Sequence, residues 1–173
     1  MLSQLYQMGE DQRLYIPYRA GTGSHTSNIG FIDLKAQPDR LSEIHELQDY
    51  PEFEELLRTL NSPECSLRTL RVDTSNEDFP EFGHPHTCFS MLTFCFEALG
   101  QDEDKRYFIE LYNYFRQSAS SHLPGDDVRA DFFLIPLTLM AGGYYGWALE
   151  IRLYGFGISV EGARNAWVRG FDR

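Results

Sequence analysis

Asp131-Phe-Phe-Leu-Ile-Pro-Leu-Thr-Leu-Met140, followed after Ala141-Gly142-Gly143 by Tyr144-Tyr-Gly-Trp-Ala-Leu-Glu-Ile-Arg-Leu-Tyr154, is the stretch that decides the fold class. Phe133, Ile135, Leu137 and Leu139 alternate along the first half. Tyr145, Trp147, Leu149, Ile151 and Leu153 alternate along the second. Side chains two apart share one face of a strand, so the pattern predicts two strands joined by a tight Gly-rich hairpin. Glu150, Arg152 and Tyr154 fall on the other side of the second strand, which predicts a solvated face there. Phe132 to Leu149 carries no formal charge over 18 residues, the length of a membrane span. Pro136, Gly142, Gly143 and Gly146 interrupt it and acids flank it, so the hairpin is the better reading.

Upstream, Leu14, Ile16 and Tyr18 alternate within Arg13–Arg19, and Pro17 suits an edge strand. Asn28–Leu34 reads as a returning strand after the loop Ala20–Thr26. Asp39 is expected to cap a helix with Leu41, Ile44 and Leu47 in one stripe, and Pro51 to open another carrying Phe53, Leu56, Leu57 and Leu60. Ser66–Asp73 reads as a strand. His86–Leu99 is apolar on both sides and fits a helix or a buried strand, with the helix preferred. Asp102–Ala119 is an amphipathic helix with Phe108, Leu111, Tyr112 and Phe115 inward. A final helix is capped by Ser159, with Val160, Ala163 and Trp167 inward. These elements predict an α+β fold in a single domain, residues 1–173, with an antiparallel sheet of about five strands and helices mainly on one face.

A chain of 173 residues with 42% hydrophobic residues can bury a core without staples. Its three cysteines, Cys65, Cys88 and Cys95, form no spaced set, and the N-terminus lacks the basic and apolar regions of a secretory signal, so a cytoplasmic location is expected. The formal charge is −11. Residues 1–140 hold 23 acids against 11 bases, and residues 141–173 hold 3 against 4. Such a field disfavours nucleic acid and anionic membranes and favours a basic partner, although acidity also serves solubility alone.

Gly83-His84-Pro85-His86-Thr87-Cys88 would place His84, His86 and Cys88 on one side of an extended segment, and all three are competent zinc ligands; a turn role for the histidines is the plainer reading. Gly155-x-Gly157 before a helix lacks the spacing of a dinucleotide fingerprint, and Ala20–His25 lacks the lysine of a phosphate loop. No nucleophile–base motif is visible, and no cofactor is expected. Two segments interleave acids with aromatics: Asp49–Glu55, with Glu52, Glu54 and Glu55, and the run from Asp73 through Glu77, Asp78, Phe79, Glu81 and Phe82. Aromatics anchor interfaces while carboxylates steer a basic partner. In size, acidity, aromatic content and lack of a catalytic signature the chain resembles the immunity proteins that neutralise bacterial toxins, which implies a non-catalytic inhibitor of a basic toxin or effector. The alternatives are a small enzyme or ligand-binding domain with a site near His84/His86 or Trp147, and a structural subunit of a larger complex.

Overall fold

The computed structural model describes residues 3–21, 29–76, 83–97, 104–122, 127–140 and 144–170, with the side chains of 118–122 left aside. Among the described residues six strands form one sheet: β1 (Ser3–Gln7), β2 (Leu14–Ile16), β3 (Leu67–Ser75), β4 (His86–Phe96), β5 (Val128–Leu139) and β6 (Tyr144–Gly157). Three α-helices accompany them: α1 (Pro51–Leu60), α2 (Lys105–His122) and α3 (Val160–Arg169). The strand order is β1-β5-β6-β4-β3, with β2 alongside β5 beyond β1. All pairings are antiparallel except those of β1 and β2 with β5. The α+β expectation therefore holds, with a mostly antiparallel sheet of six strands.

All three helices lie on one face. Gly155 and Gly157 of β6 sit directly beneath the backbone of α3. Phe53 of α1 meets Trp167 of α3 edge-on at 6.4 Å, and Phe108 and Phe115 of α2 pack against Phe96 of β4 and Phe132 of β5. Trp167 is fully buried, and its indole N–H donates to Ser90 Oγ at 2.9 Å, so its polar handle is satisfied. Ser159 Oγ accepts the Gly162 N–H at 3.1 Å, the cap expected for α3, but Val160 is exposed, and Ala166 joins Ala163 and Trp167 inside.

Four expectations are corrected. Residues 86–96 are a strand. β4 is held between β3 and β6 and is buried on both faces, and a segment apolar all round has no periodicity to separate strand from helix. Residues 38–47 are two 3-10 turns, Pro38–Glu43 and His45–Leu47, with Ile44 extended between them and Asp39 inside the first turn. Leu41, Ile44 and Leu47 are buried all the same, since a spacing of three matches the 3-10 repeat. The described part of 28–34, residues 29–34, is not a strand but runs past the β3 edge. Ile29 and Ile32 share a cleft with Arg71, whereas Leu34 and Leu41 line a cavity with Leu57 of α1. Finally, the register pairs Phe132 with Ile151 and Leu134 with Leu149. The alternating sets read from the two strands thus face opposite sides. β5 is apolar on both, because Leu14 and Ile16 of β2 lie beside Leu137 and Leu139 on the side away from the helices. The connector 141–143 lies outside the described residues. The uncharged stretch forms β5 and β6, and no described helix is long and apolar enough to cross a membrane.

Candidate functional site

On the side of the sheet away from the helices, Glu150 of β6 is completely buried. Its Oε2 accepts from Arg71 Nη2 at 2.5 Å and from Thr93 Oγ1 at 2.9 Å, and its Oε1 accepts from Arg152 Nε at 2.7 Å. A buried carboxylate is tolerable only with such saturation. The Arg152 guanidinium lies 4.2 Å from the Phe133 ring, which stacks on Tyr6 at 5.0 Å. Directly across from Arg152, buried Asp131 pairs with Arg129 at 2.8 Å. A row of alternating charges therefore crosses β3, β6 and β5. The solvated face expected around Glu150 and Tyr154 is instead covered: Met91, Tyr154 and Phe156 are also buried.

The row ends at a cleft. Among the described residues β3 is the last strand of the sheet, and residues Thr69 to Asp73 line a cavity of about 310 Å³ together with Tyr18, Ile29, Gly30, Ile32, Leu34, Ile44 and Glu46. A β-bulge between Thr69 and Arg71 inserts Leu70, which is buried against this cavity. Glu150 holds one end of the Arg71 guanidinium, while Arg71 Nε is buried without an acceptor. Burial pushes the Tyr18 phenol above its ordinary range, opposed by Arg71 and reinforced by Glu46, so it stays an O–H donor. Thr74 Oγ1 donates to the Glu46 carbonyl at 2.7 Å, tying the far wall to β3. Asp73 stands exposed at the rim. The cleft is thus lined by apolar Ile32, Ile44 and Leu70 together with Tyr18, Arg71, Glu46 and Asp73. A second cavity, of about 490 Å³ beside α1, differs: its Lys35 Nζ is used up by the carbonyls of Ser62 and Cys65 and by Glu97.

The residues expected to form a partner surface are spread apart. Asp73 faces the side of the sheet that carries Arg152, whereas Glu52 is bound at 2.6 Å by Arg164 of α3 on the helical side. Glu54 pairs with Arg58 at 2.5 Å, and Glu55 is exposed. Glu77, Asp78, Phe79, Glu81 and Phe82 lie outside the described residues. The three candidate zinc ligands diverge. His84 stacks on Phe156 at 4.8 Å, on the side away from the helices, while His86 and Cys88 pair with Gly157 and Gly155 on the helical side. Among the described residues no three His, Cys, Asp or Glu side chains cluster. Trp147 is half-buried, with Lys105 Nζ at 5.8 Å from its ring. Tyr18 and Glu150 enter the sequence reading only as strand positions, and none of Tyr18, Glu46, Arg71 and Glu150 is expected there as a site residue. The one available signal was Glu150-x-Arg152, which puts opposite charges on one strand face, but nothing in sequence points to Arg71, 79 residues away.

Cys88 is a buried neighbour of Tyr50, and burial pushes its thiol up to about 11 and the Tyr50 phenol to about 12. Both folded values lie above the ordinary 9.0 and 10.0, so the neutral forms favour the native state below pH 9 and stability falls as the unfolded chain ionises above it. The unfolding free energy from urea melts is expected to drop between pH 9 and 11, by about 3 kcal/mol for Cys88 alone at about 1.4 kcal/mol per unit. Cys88→Ala should flatten that slope, and an unchanged slope in the variant would refute the assignment.

No protein-family model matches the chain, and the comparisons with curated proteins and with solved structures return no match either.

Proposed function

We propose that the chain is a non-catalytic protein-binding domain of the immunity type, which neutralises a basic bacterial toxin or effector by covering its active site or functional surface. The observation that carries this reading is the pair of carboxylates in the lining of the edge-strand cleft. Half-buried Glu46 and exposed Asp73 belong to it, and β3 leads directly in sequence into the acid–aromatic run ending at Phe82. Carboxylates at the rim steer a cationic partner, and apolar walls behind them supply the contact that persists after docking. The overall charge of −11 acts in the same direction at longer range. In this reading the domain works in a reducing cytoplasm, in keeping with three free cysteines.

Tagged protein used as bait at low salt in a lysate of its native host is expected to retain a basic protein at one-to-one stoichiometry. The association rate of the purified pair should fall at least tenfold between about 0.01 and 1 M salt, where the screening length shrinks from about 30 to 3 Å. Bait that elutes alone, or a rate indifferent to salt, would overturn the reading.

A further inference from the structure

We infer that the turn end of the β5–β6 hairpin is a contact between two copies of this chain, which associate about a two-fold axis as a weak dimer. The inference is independent of the protein-binding reading.

The sheet register builds the surface. Tyr15 of β2 stands beside Thr138 of β5, and Thr138 stands beside Tyr145 of β6, so the three side chains form one row on one face. It is the helical face, because Phe132, on the same side of β5 as Thr138, packs against Phe115 of α2. Next to the row Trp147 pairs with Pro136, and Lys105, the first residue of α2, stands 5.8 Å from the indole ring. The row therefore lies beyond the start of α2. Tyr15, Met140 and Tyr145 are accordingly 55%, 61% and 66% exposed. Scattered apolar side chains on a surface are ordinary, but a cluster marks a contact, and Tyr, Met and Arg are enriched in interfaces.

Charge selects the occupant. The chain carries −11, so two copies repel over most approaches. Phe132 to Leu149 has no formal charge, and Arg13, 5.7 Å from the Tyr145 ring, is neutralised by Glu10. The rim carries both signs, with exposed Lys105 on α2 and exposed Asp11 in the turn before β2. A second copy is thus met without like charges in contact, whereas a basic partner finds no carboxylate cluster to steer it. The row is also self-complementary. A two-fold axis near Thr138 exchanges its ends and sets Tyr15 of one copy against Tyr145 of the other, the isologous arrangement.

Size sets the strength. Burying a large aromatic removes about 150–250 Å², so the three exposed side chains offer on the order of 300 Å² per copy before the rim is counted. A stable interface takes about 800 Å² per partner, which puts this dimer in the weak class, with a dissociation constant of roughly 10–100 µM.

Sedimentation equilibrium of the full chain from about 1 µM to 1 mM spans that range, and the wild type should pass from monomer to dimer across it. Tyr145→Glu and Met140→Glu change exposed side chains, so each should melt like wild type and raise the dissociation constant at least tenfold. Either variant alone suffices if the other fails to fold. Ile158→Glu, at a 90% exposed position past the opposite end of β6, should leave the constant unchanged. Raising salt from about 0.05 to 0.5 M should tighten the dimer, because it screens the repulsion between two acidic chains. A chain that stays monomeric, a dimer indifferent to the folded tip variants, equal loss in Ile158→Glu, or a dimer loosened by salt overturns the inference. A monomer that instead floats with phosphatidylcholine vesicles gives the tip to a lipid surface and overturns it as well. Capture of a basic partner by a monomeric chain overturns the dimer and leaves the protein-binding reading standing. A dimer that captures no partner does the reverse.

Discussion

Glu150→Ala is expected to lower stability by about 3–5 kcal/mol, the range for removing one member of a buried ion network. Glu150 has no solvent exposure and receives hydrogen bonds from Arg71, Arg152 and Thr93. Removing its carboxylate leaves the guanidinium groups of Arg71 and Arg152, whose side chains are 37% and 33% exposed, facing each other with no anion between them, so the lower end of that range is expected. The loss is therefore dominated by stranded cations. Replacing the charged groups together should cost less. Glu150→Leu combined with Arg71→Met and Arg152→Met is expected to recover most of the stability lost in Glu150→Ala, as apolar substitutes do in buried ionic clusters. Urea unfolding of the two variants makes the comparison. A Glu150→Ala protein within about 1 kcal/mol of wild type would mean that the network contributes little.

Gly155→Ala is the second change with a large expected effect. A Cβ at this position would fall 2.2 Å from the Trp167 amide nitrogen and 2.4 Å from the Ala163 carbonyl oxygen. Both are backbone atoms of α3, so no side-chain rotation relieves the overlap and the helix has to lift off the sheet. Overpacking commonly costs about 1–3 kcal/mol and more where nothing yields, so about 3 kcal/mol is expected here. Trp167 is the largest residue carried by that helix surface, and its ring would be drawn away from Phe53, Tyr50 and Ser90. Tryptophan fluorescence should shift to longer wavelength before global unfolding. A Gly155→Ala protein with wild-type stability and an unshifted spectrum would show that α3 does not depend on this contact. Gly155 and Gly157 are the last glycines before α3, and β6 runs through both.

Some of this protein was legible in its amino-acid order. Pro51, Phe53 and Leu57 marked α1 because a proline at the first helical position and an apolar stripe are local signals. Ser159 marked the start of α3 because a cap bonds three residues along. The alternation in β5 and β6 disclosed two paired strands, and with them the fold class. The lone charges at Glu150 and Arg152 were visible too, but their burial was not. What sequence alone determined were features carried by contacts a few residues apart: helix stripes, caps and the existence of strands. Long-range pairing set the strand identity of 86–96, the face to which each side of β5 points, and the meeting of Arg71 with Glu150 at the cleft between β3 and residues 29–46. Each depends on which strands are neighbours. Strand order and register are set by burial summed over the whole sheet, a quantity that no single stretch of sequence encodes.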